Sequence, residues 1–310
     1  MIVRAPAKIN VHLAVGPLRP DGFHQLRTVF HAIGKYDVVT ATATPGKPLS
    51  LRIDGPEHLG IPLDEDNLAW RAAVLLARSA GLKPEVSVSL HKAIPVAAGL
   101  AGGSADAAAT MLACDELWRL ATPAARLTML AAQLGSDVAF GLRGRTALGT
   151  GRGERLRSVP GSAQHWVLAA ADGALRTPEV YRELDRQRAA GQAAASVGDP
   201  GPALAALADG DPRRVAAALA NDLQPAALAL APYLRRTLDT GIEVGALGGI
   251  VSGSGPTCVF IASDADHAAR LAARLQASGT CRFAAAVIGD APTEIVRDIV
   301  REEERPWPTW

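Results

Sequence analysis

The stretch Pro95-Val-Ala-Ala-Gly-Leu-Ala-Gly-Gly-Ser-Ala-Asp-Ala107 decides the fold, because it joins a predicted strand to a long predicted helix almost entirely through small residues. Residues 86–90 before it alternate as a strand does, and the alanine-rich run after it continues to about Leu120. Small side chains let backbone N–H groups approach an anion, and the start of a helix adds unpaired donors and a positive dipole end. The stretch therefore predicts a phosphate-binding loop built from Gly99, Gly102, Gly103 and Ser104.

This loop matches neither of the two common glycine-rich phosphate motifs. No lysine follows its last glycine, as the P-loop requires, and its glycines lack the G-x-G-x-x-G spacing. A small-residue loop packed against a neighbouring sheet is the structural alternative. Two companions favour the phosphate site: Lys8 in the predicted N-terminal strand, and a glycine-serine turn over residues 252–257 between two predicted strands.

The whole chain has the composition of a globular enzyme. Its 310 residues are enough for two domains, and the mixture of 48% hydrophobic with 20% charged residues excludes a disordered or fibrous class. The net charge of +1 gives no global field that would attract nucleic acid or a membrane surface. We therefore expect a small molecule as partner, no nucleic acid and no membrane, and a monomer or a homodimer.

Cysteine use and the first residues predict a cytoplasmic protein. Cys114, Cys258 and Cys281 stand far apart and form no C-x-x-C pair, which argues against both a zinc site and a disulfide framework. Residues 1–8 lack the charged and apolar regions of a secretory signal. No apolar run reaches the roughly 20 residues that a membrane span needs.

Alternation, caps and breakers predict the remaining elements. In the first half these are a strand over 2–15 interrupted near Pro6, a turn over 19–22, strands over 38–44 and 49–53, a helix over 68–77 capped by Asp66 or Asn67, and a helix capped by Thr122 that ends near Gly135. In the second half they are a strand over 166–171, a loosely helical or mobile stretch over 187–211, helices over 231–240 and 265–277, strands over 246–252, 257–262 and 282–288, and a frayed tail over 301–310. The order of the last elements is typical of a split βαβ domain.

The motifs together resemble the GHMP superfamily of kinases, and the resemblance extends over most of the chain. The residues that carry it are Ala5-Pro-Ala-Lys-Ile-Asn10, Arg19-Pro-Asp-Gly-Phe-His24, Asp66-Asn67-Leu68, residues 95–107, Leu134-Gly-Ser-Asp-Val138, Thr177-Pro-Glu-Val-Tyr181, Asn221-Asp222 and residues 252–257. The resemblance implies an α+β fold of two domains. An N-terminal, ribosomal-protein-like ATP-binding domain is expected over residues 1–155, a C-terminal ferredoxin-like (split βαβ) domain over 156–300, and a tail over 301–310.

Within the superfamily the chain is most similar to the kinases of 4-diphosphocytidyl-2-C-methyl-D-erythritol, which act in the non-mevalonate (methylerythritol phosphate) route to isoprenoid precursors. The resemblance implies transfer of the γ-phosphoryl group of ATP to the 2-hydroxyl of that acceptor, which bears a cytidine diphosphate group. Mg²⁺ is implied by the ATP chemistry, without a protein metal ligand that the sequence identifies. The near alternative is another kinase of the superfamily, such as a homoserine or mevalonate kinase.

Lys8 and Asp137 are the candidate catalytic residues. Phosphoryl transfer depends on positioning and charge stabilisation, so it needs a group that orients or accepts the hydroxyl proton and cations that face the phosphates. A helix N-cap is the structural alternative for Asp137. The resemblance implies that Lys8 pairs with Asp137 and faces the acceptor hydroxyl, which would keep Asp137 ionised and limit its strength as a base.

The resemblance also assigns a nucleotide site and an acceptor site. The expected ATP-binding residues are Asn67, Lys92, Pro95, Gly99, Leu100, Ala101, Gly102, Gly103 and Ser104. An N-cap is the structural alternative for Asn67, and a solvated strand end for Lys92. The expected substrate-binding residues are Asn10, Phe23, His24, Tyr181, Gly253, Ser254 and Gly255. Phe23 and Tyr181 are expected to sandwich the pyrimidine and His24 to contact its edge, although an aromatic residue after a turn is more often part of the core.

The chain departs from the family pattern at several of these positions. Ala97, Ala98 and Ala101 stand where glycine is frequent, and we expect negative φ angles there because a Cβ atom disfavours the left-handed region. Asp106 stands where asparagine is common, and Ala139 stands where the family often has a proline after Asp-Val. Phe23 takes the place of a frequent tyrosine.

The sequence disfavours two other classes of function. A nucleotide-binding regulator without catalysis is disfavoured because the chain has both Lys8 and Asp137. A nucleic-acid-binding module is disfavoured by the near-neutral charge and by the lack of a basic stripe.

Overall fold

The computed structural model describes residues 1–171 and 173–296, which form two β-sheets with helices packed on them. The strands are β1 Ile2–Leu18, β2 His24–Ala43, β3 Ser50–Asp54, β4 Val86–His91, β5 Thr146–Gly151, β6 Arg155–Ser158, β7 His165–Ala170, β8 Ala220–Asn221, β9 Gly248–Val251, β10 Cys258–Ala262, β11 Phe283–Ile288 and β12 Glu294–Val296. The helices are α1 Leu68–Ser79, α2 Gly102–Leu117, α3 Ala124–Leu134, α4 Ser136–Gly141, α5 Thr177–Ala189, α6 Gly201–Asp209, α7 Pro212–Ala217, α8 Gln224–Leu230, α9 Tyr233–Glu243 and α10 Ala265–Ala277. No helix in these ranges is long and apolar enough to cross a bilayer.

The larger sheet is built around the long antiparallel hairpin of β1 and β2. Its path runs β12-β1-β2-β4-β3, with β5 on β2, β6 on β5 and β8 on β1. The register of the hairpin shifts between Pro6 and Ala7, as the proline predicts. The Arg19–Gly22 turn forms as predicted, with the N–H of Gly22 donating to the carbonyl of Arg19. Strand β2 begins at His24, far before the predicted start at residue 38, because its first half pairs with β1 and β5.

Helix α2 packs on this sheet against β1 and β2, and α1 packs against α2. Asn67 caps α1, as predicted, because its side chain accepts from the N–H of Ala69. Helix α2 is buried over most of its surface, and its run of alanines lets it pack against both the sheet and α1. The predicted Thr122 cap of α3 is wrong: Pro123 occupies the N-cap position, and no side chain caps the helix.

The smaller sheet has the order β11-β7-β10-β9, with every neighbouring pair antiparallel. In chain order its strands lie 4-1-3-2, which is the ferredoxin-like arrangement predicted from the sequence. Helix α10 matches the predicted residues 265–277, but the predicted helix over 231–240 is only the second half of a pair, α8 and α9. Part of the stretch over 187–211 is the ordered helix α6.

The proposed domain boundary near residue 155 stays a prediction. Strand β7, which follows it, opens the smaller sheet. Strands β8 and β12, however, return from the second half of the chain to pair with β1. The predicted tail over 301–310 and the end of the predicted second domain at residue 300 lie outside the described residues.

Candidate active site

A cleft of about 580 Å³ lies where the hairpin of β1 and β2, the loop over residues 95–101 and the start of α2 meet. It extends to the start of α4, to the β5–β6 turn and to α5. Of the residues predicted to bind or react, those that line it are Lys8, Asn10, Asn67, Lys92, Pro95, Gly99, Ala101, Gly102, Gly103, Ser104, Asp137, Tyr181 and Ser254. Sequence positions from six parts of the chain therefore meet in one site.

The phosphate loop ends in an uncapped helix N-terminus that faces the cleft. Ala101 is the N-cap residue of α2 and has no side-chain oxygen to satisfy the first N–H groups of the helix. Gly102, Gly103 and Ser104 form the first turn and line the cleft. The site thus offers backbone donors and the positive end of a helix dipole to an anion.

The expectation of negative φ angles in this loop was wrong at two of its three alanines. Ala97 has φ 54° and Ala101 has φ 61°, both in the left-handed region. A Cβ atom costs roughly 1–2 kcal/mol there. The bend needed to start α2 in the cleft therefore stores strain that glycine would avoid.

Contact between the two glycine-rich segments explains their composition. A Cβ atom on Gly99 would lie 2.6 Å from the carbonyl oxygen of Ser252 and 2.8 Å from that of Gly255. A Cβ atom on Gly253 would lie 3.1 Å from Asn10 Oδ1. The turn over residues 252–257 therefore supports the phosphate loop from behind, and only Ser254 of its three predicted site residues lines the cleft.

Lys8 and Asp137 form an ion pair in the middle of the cleft. Lys8 Nζ lies 3.5 Å from Asp137 Oδ2, with the lysine side chain 8% exposed and the aspartate side chain 31% exposed. Asp137 is the second residue of α4, whose N-cap is Gly135, so it is not the cap of that helix. The carboxylate is left open to the cleft.

A hydrogen-bond chain on the hairpin holds the Lys8 ammonium. Lys8 Nζ donates to Asn10 Oδ1 (2.9 Å), and Asn10 Nδ2 donates to Thr28 Oγ1 (2.7 Å). Thr28 Oγ1 donates in turn to the carbonyl of His12 (2.9 Å). Asn10 is thereby fixed through both ends of its amide and orients Lys8 toward Asp137.

Asn67 and Lys92 lie at the end of the cleft next to the phosphate loop. Asn67 Oδ1 caps α1, and its Nδ2 donates to the carbonyl of Pro62 (2.8 Å). Lys92 is 1% exposed, so it is not the solvated strand end that was the alternative. Its ammonium bonds Asp37 and Asp106 rather than the open cleft. A direct ionic contact between Lys92 and a nucleotide would first have to break this pairing.

Lys92 and its two aspartates form a buried triad beneath the first turn of α2. Asp37 also accepts the N–H groups of Ala93 and Ile94 (2.7 and 2.8 Å), at the start of the loop. Two carboxylates share one ammonium, and Asp106 Oδ1 has no hydrogen-bond partner. Burial and the Asp37 charge together raise the pKa of Asp106 to about 8, against the opposing charge of Lys92.

The acceptor end differs from the predicted aromatic sandwich. Tyr181 stacks on His24 with ring centroids 5.1 Å apart, and His24 Nε2 bonds Asp185 Oδ1 (2.9 Å). Phe23 is 51% exposed outside the cleft lining, and the guanidinium of Arg152 lies over its ring. The protein alone therefore has two separate aromatic surfaces, and His24 has one ring nitrogen already engaged.

Leu100 is also a predicted site residue that does not line the cleft, as are Phe23, His24, Gly253 and Gly255. Its side chain is 1% exposed in the core, and its carbonyl accepts the N–H of Lys8 (3.1 Å). Sequence reasoning also missed Asp37 and Arg152. A charged residue at an internal position of an alternating strand is the signal for Asp37, and the Gly-Arg-Gly turn is the signal for Arg152.

Family models place both halves of the chain in one family. Residues 67–145 match the model described as GHMP kinases N terminal domain, and residues 203–281 match GHMP kinases C terminal. The chain belongs to the GHMP kinases. The resemblance drawn from the motifs is thereby confirmed, as is the two-domain α+β fold.

Relatives of this GHMP kinase carry a common name. The chain is 54% identical over 303 residues to a 4-diphosphocytidyl-2-C-methyl-D-erythritol kinase of Thermobifida fusca, and the match covers 94% of this chain and 96% of that protein. A crystal structure of 4-(cytidine 5′-diphospho)-2C-methyl-D-erythritol kinase superposes with a TM-score of 0.76 at 33% identity, covering 94% of this chain and all of the other. A homoserine kinase of Cytophaga hutchinsonii has a TM-score of 0.74 at 19% identity over 94% and 95% of the chains, which shows a shared fold.

Proposed function

We propose that this GHMP kinase transfers the γ-phosphoryl group of ATP to the 2-hydroxyl of 4-diphosphocytidyl-2-C-methyl-D-erythritol. The observation that carries the proposal is the Lys8–Asp137 pair, which lies in one cleft with the phosphate loop and the aromatic residues of the acceptor end. The high identity to kinases named for this acceptor supports the choice of substrate. The proposal includes a cytoplasmic location and a small-molecule acceptor bearing a cytidine diphosphate group.

The start of α2 is proposed to bind the ATP phosphates. The N–H groups of Gly102, Gly103 and Ser104 have no capping side chain, and the absence of side chains at the two glycines allows the phosphates to approach the backbone. Asn67 and Pro95 would border the nucleotide on either side of this turn. Lys92 would stabilise the loop indirectly, because its ammonium is already ion-paired with Asp37 and Asp106.

Lys8 and Asp137 are proposed to act on the acceptor hydroxyl. Asp137 would accept a hydrogen bond from the hydroxyl and orient its oxygen for attack on the γ-phosphorus. Lys8 would hold Asp137 in place and offset the negative charge that develops on the transferred group. Held by its ion pair with Lys8, Asp137 would orient the hydroxyl more than it abstracts the proton.

Mg²⁺ fits the donor set at this site. Ser104 and Asp137 both line the cleft and present oxygen atoms, which are the ligands that Mg²⁺ prefers, and this ion usually takes few protein ligands because it keeps waters and bridges phosphates. The described residues contain no cluster of three or more acidic, histidine or cysteine ligands. When bound, the ion would neutralise charge on the β- and γ-phosphates.

Acceptor-dependent release of ADP tests the proposal. The protein is incubated with ATP, Mg²⁺ and, separately, the cytidyl acceptor, its uridine analogue, homoserine and mevalonate. We expect ADP release with the cytidyl acceptor, and a new phosphate monoester on its 2-hydroxyl by ³¹P NMR. Turnover of homoserine with indifference to the cytidyl compound would refute the acceptor and leave the kinase assignment, whereas ADP release that no acceptor stimulates would refute both.

A further inference from the structure

The cleft follows strand β2, so positions on that strand indicate which end receives which part of the substrates. His91 pairs with Val38, and the phosphate loop follows β4 at that end. Lys8 pairs with Ala32 farther along. Leu26 lies roughly 20 Å beyond Ala32 at about 3.3 Å per residue. The far end of β2 is therefore on the opposite side of the Lys8–Asp137 pair from the nucleotide phosphates.

Arg152 lies at that far end, on a turn whose backbone is well fixed. It follows Gly151, which pairs with Leu26. The Glu154 carboxylate accepts the N–H of Arg152 (2.5 Å), and glycines with positive φ stand on both sides. A Cβ atom on Gly153 would lie 3.5 Å from the Cβ atom of Ser136, the residue before Asp137. The turn thus connects the acceptor end to the catalytic pair.

Among the described residues, Arg152 is the cleft cation whose charge has no carboxylate partner. Three cations line the cleft; Lys8 pairs with Asp137, and Lys92 with Asp37 and Asp106. Within residues 1–171 and 173–296, no ion pair or side-chain hydrogen bond involves the Arg152 guanidinium, whose Cζ lies 4.7 Å from the centre of the Phe23 ring. A guanidinium that lies over the face of an aromatic ring keeps its N–H groups available to hydrogen-bond a ligand.

We propose that Arg152 binds the diphosphate of the acceptor and makes that diphosphate a requirement for tight binding. This inference rests on the proposed function. In that acceptor the diphosphate joins the carbon chain that carries the hydroxyl to the nucleoside. With the hydroxyl at Lys8 and Asp137 and the base at Phe23, His24 or Tyr181, the diphosphate crosses the space that Arg152 faces. A guanidinium matches phosphate oxygens through paired hydrogen bonds.

The test compares binding of cytidine 5′-diphosphate and of cytidine by calorimetry, for the wild type, Arg152→Gln and Arg152→Lys. We expect Arg152→Gln to weaken cytidine 5′-diphosphate by about 10-fold or more, because hydrogen bonds to a charged group are strong, while cytidine changes by less than about twofold. We expect Arg152→Lys to restore part of the lost affinity, because lysine keeps the positive charge but lacks the paired N–H donors of the guanidinium. In turnover, KM for the cytidyl acceptor rises while kcat and KM for ATP stay near the wild-type values.

Arg155→Gln is the matched control. Arg155 is the first residue of β6, directly after the same turn; it pairs with Glu154, has a side chain 76% exposed, and does not line the cleft. We expect its binding of both ligands to equal that of the wild type.

Three results would overturn the inference. Equal weakening of cytidine and its diphosphate in Arg152→Gln would make Arg152 a support for Phe23 instead. Unchanged binding of cytidine 5′-diphosphate by Arg152→Gln would refute a role for Arg152. If the wild type still turned over the cytidyl acceptor, the proposed function would stand. No turnover of that acceptor by the wild type would refute the proposed function and this inference with it.

Discussion

Two lysines of the same cleft, Lys8 and Lys92, have opposite relations to their carboxylates. Lys8 pairs with a single aspartate, Asp137, whose side chain is 31% exposed to the cleft. Lys92 is buried between Asp37 and Asp106, whose side chains are 0% and 4% exposed. An ion pair open to a ligand can exchange a contact for a substrate, but a buried triad cannot do so without leaving an uncompensated charge in the core.

A lysine near a phosphate loop does not bind phosphate by position alone. The number and burial of its partners decide its role. In the proposed function Lys8 acts on the reacting groups, whereas Lys92 contacts Asp37, which bonds the N–H groups of Ala93 and Ile94 at the start of the loop. Replacement of Lys8 should therefore affect turnover, and replacement of Lys92 should affect stability.

Replacement of Lys8 should have the largest effect on turnover. We expect Lys8→Met to lower kcat by about 10²- to 10³-fold, because it removes a cation aimed at the transferred group and keeps similar bulk. The melting temperature should change little, since the freed Asp137 carboxylate reaches solvent. Lost stability with intact specific activity of the folded fraction would instead make Lys8 structural.

Replacement of Lys92 should act mainly on stability. We expect Lys92→Met to lower the free energy of unfolding by roughly 3–5 kcal/mol, because the buried Asp37 and Asp106 lose the ammonium that compensates their negative charge. Urea denaturation measures the loss, and Lys83→Met, on an exposed loop, is the matched control. A Lys92→Met protein as stable as the control, with a large rise in KM for ATP, would reverse the comparison and make Lys92 a nucleotide ligand.

Asp106 gives the triad a pH dependence. Because its pKa is raised to about 8 in the folded protein, the folded chain keeps a proton that the unfolded chain has lost above pH 4. This carboxyl group therefore makes the fold less stable as pH rises from about 4 to about 8. Asp106→Asn removes the titration, so we expect its stability relative to the wild type to increase across that range in urea titrations. A constant difference between the two proteins would contradict the raised pKa.

The smallest expected effect concerns the strained alanines of the phosphate loop. Ala101→Gly relieves the left-handed strain of roughly 1–2 kcal/mol and costs about 0.5–1 kcal/mol in chain entropy, so it should be neutral or slightly stabilising. Ala98→Gly, in the same loop with a φ that is not positive, gains no such relief and loses a buried methyl group. Thermal melts should rank Ala101→Gly above Ala98→Gly, and the reverse order would argue against strain at Ala101.

The sequence was a good guide where a signal is local or carried by a motif. The small-residue loop at the start of α2, the Asn67 cap, the Arg19 turn and helix α10 follow from short patterns, and the proximity of Lys8 and Asp137 follows from the family motifs. These features depend on neighbouring residues or on positions that the family pattern defines.

The parts that sequence could not predict depend on contacts between distant positions. Lys92 meets Asp37 55 positions away, a distance along the chain that no periodicity reveals. Tyr181 stacks on His24 because α5 packs beside the hairpin end, which separates Tyr181 from Phe23. The left-handed angles of Ala97 and Ala101 also have no sequence signal, because a Cβ atom disfavours that region and alanine therefore predicts a negative φ.

Substitution of Asp137 measures whether the open Lys8–Asp137 pair carries out the transfer. Asp137→Asn keeps the shape of the side chain and removes its charge, and single-turnover measurements separate the chemical step from binding. We predict a loss on the order of 10²-fold or more in the rate of phosphoryl transfer to the cytidyl acceptor, with dissociation constants for ATP and acceptor within about threefold of the wild type. Near-normal transfer by Asp137→Asn would contradict the account.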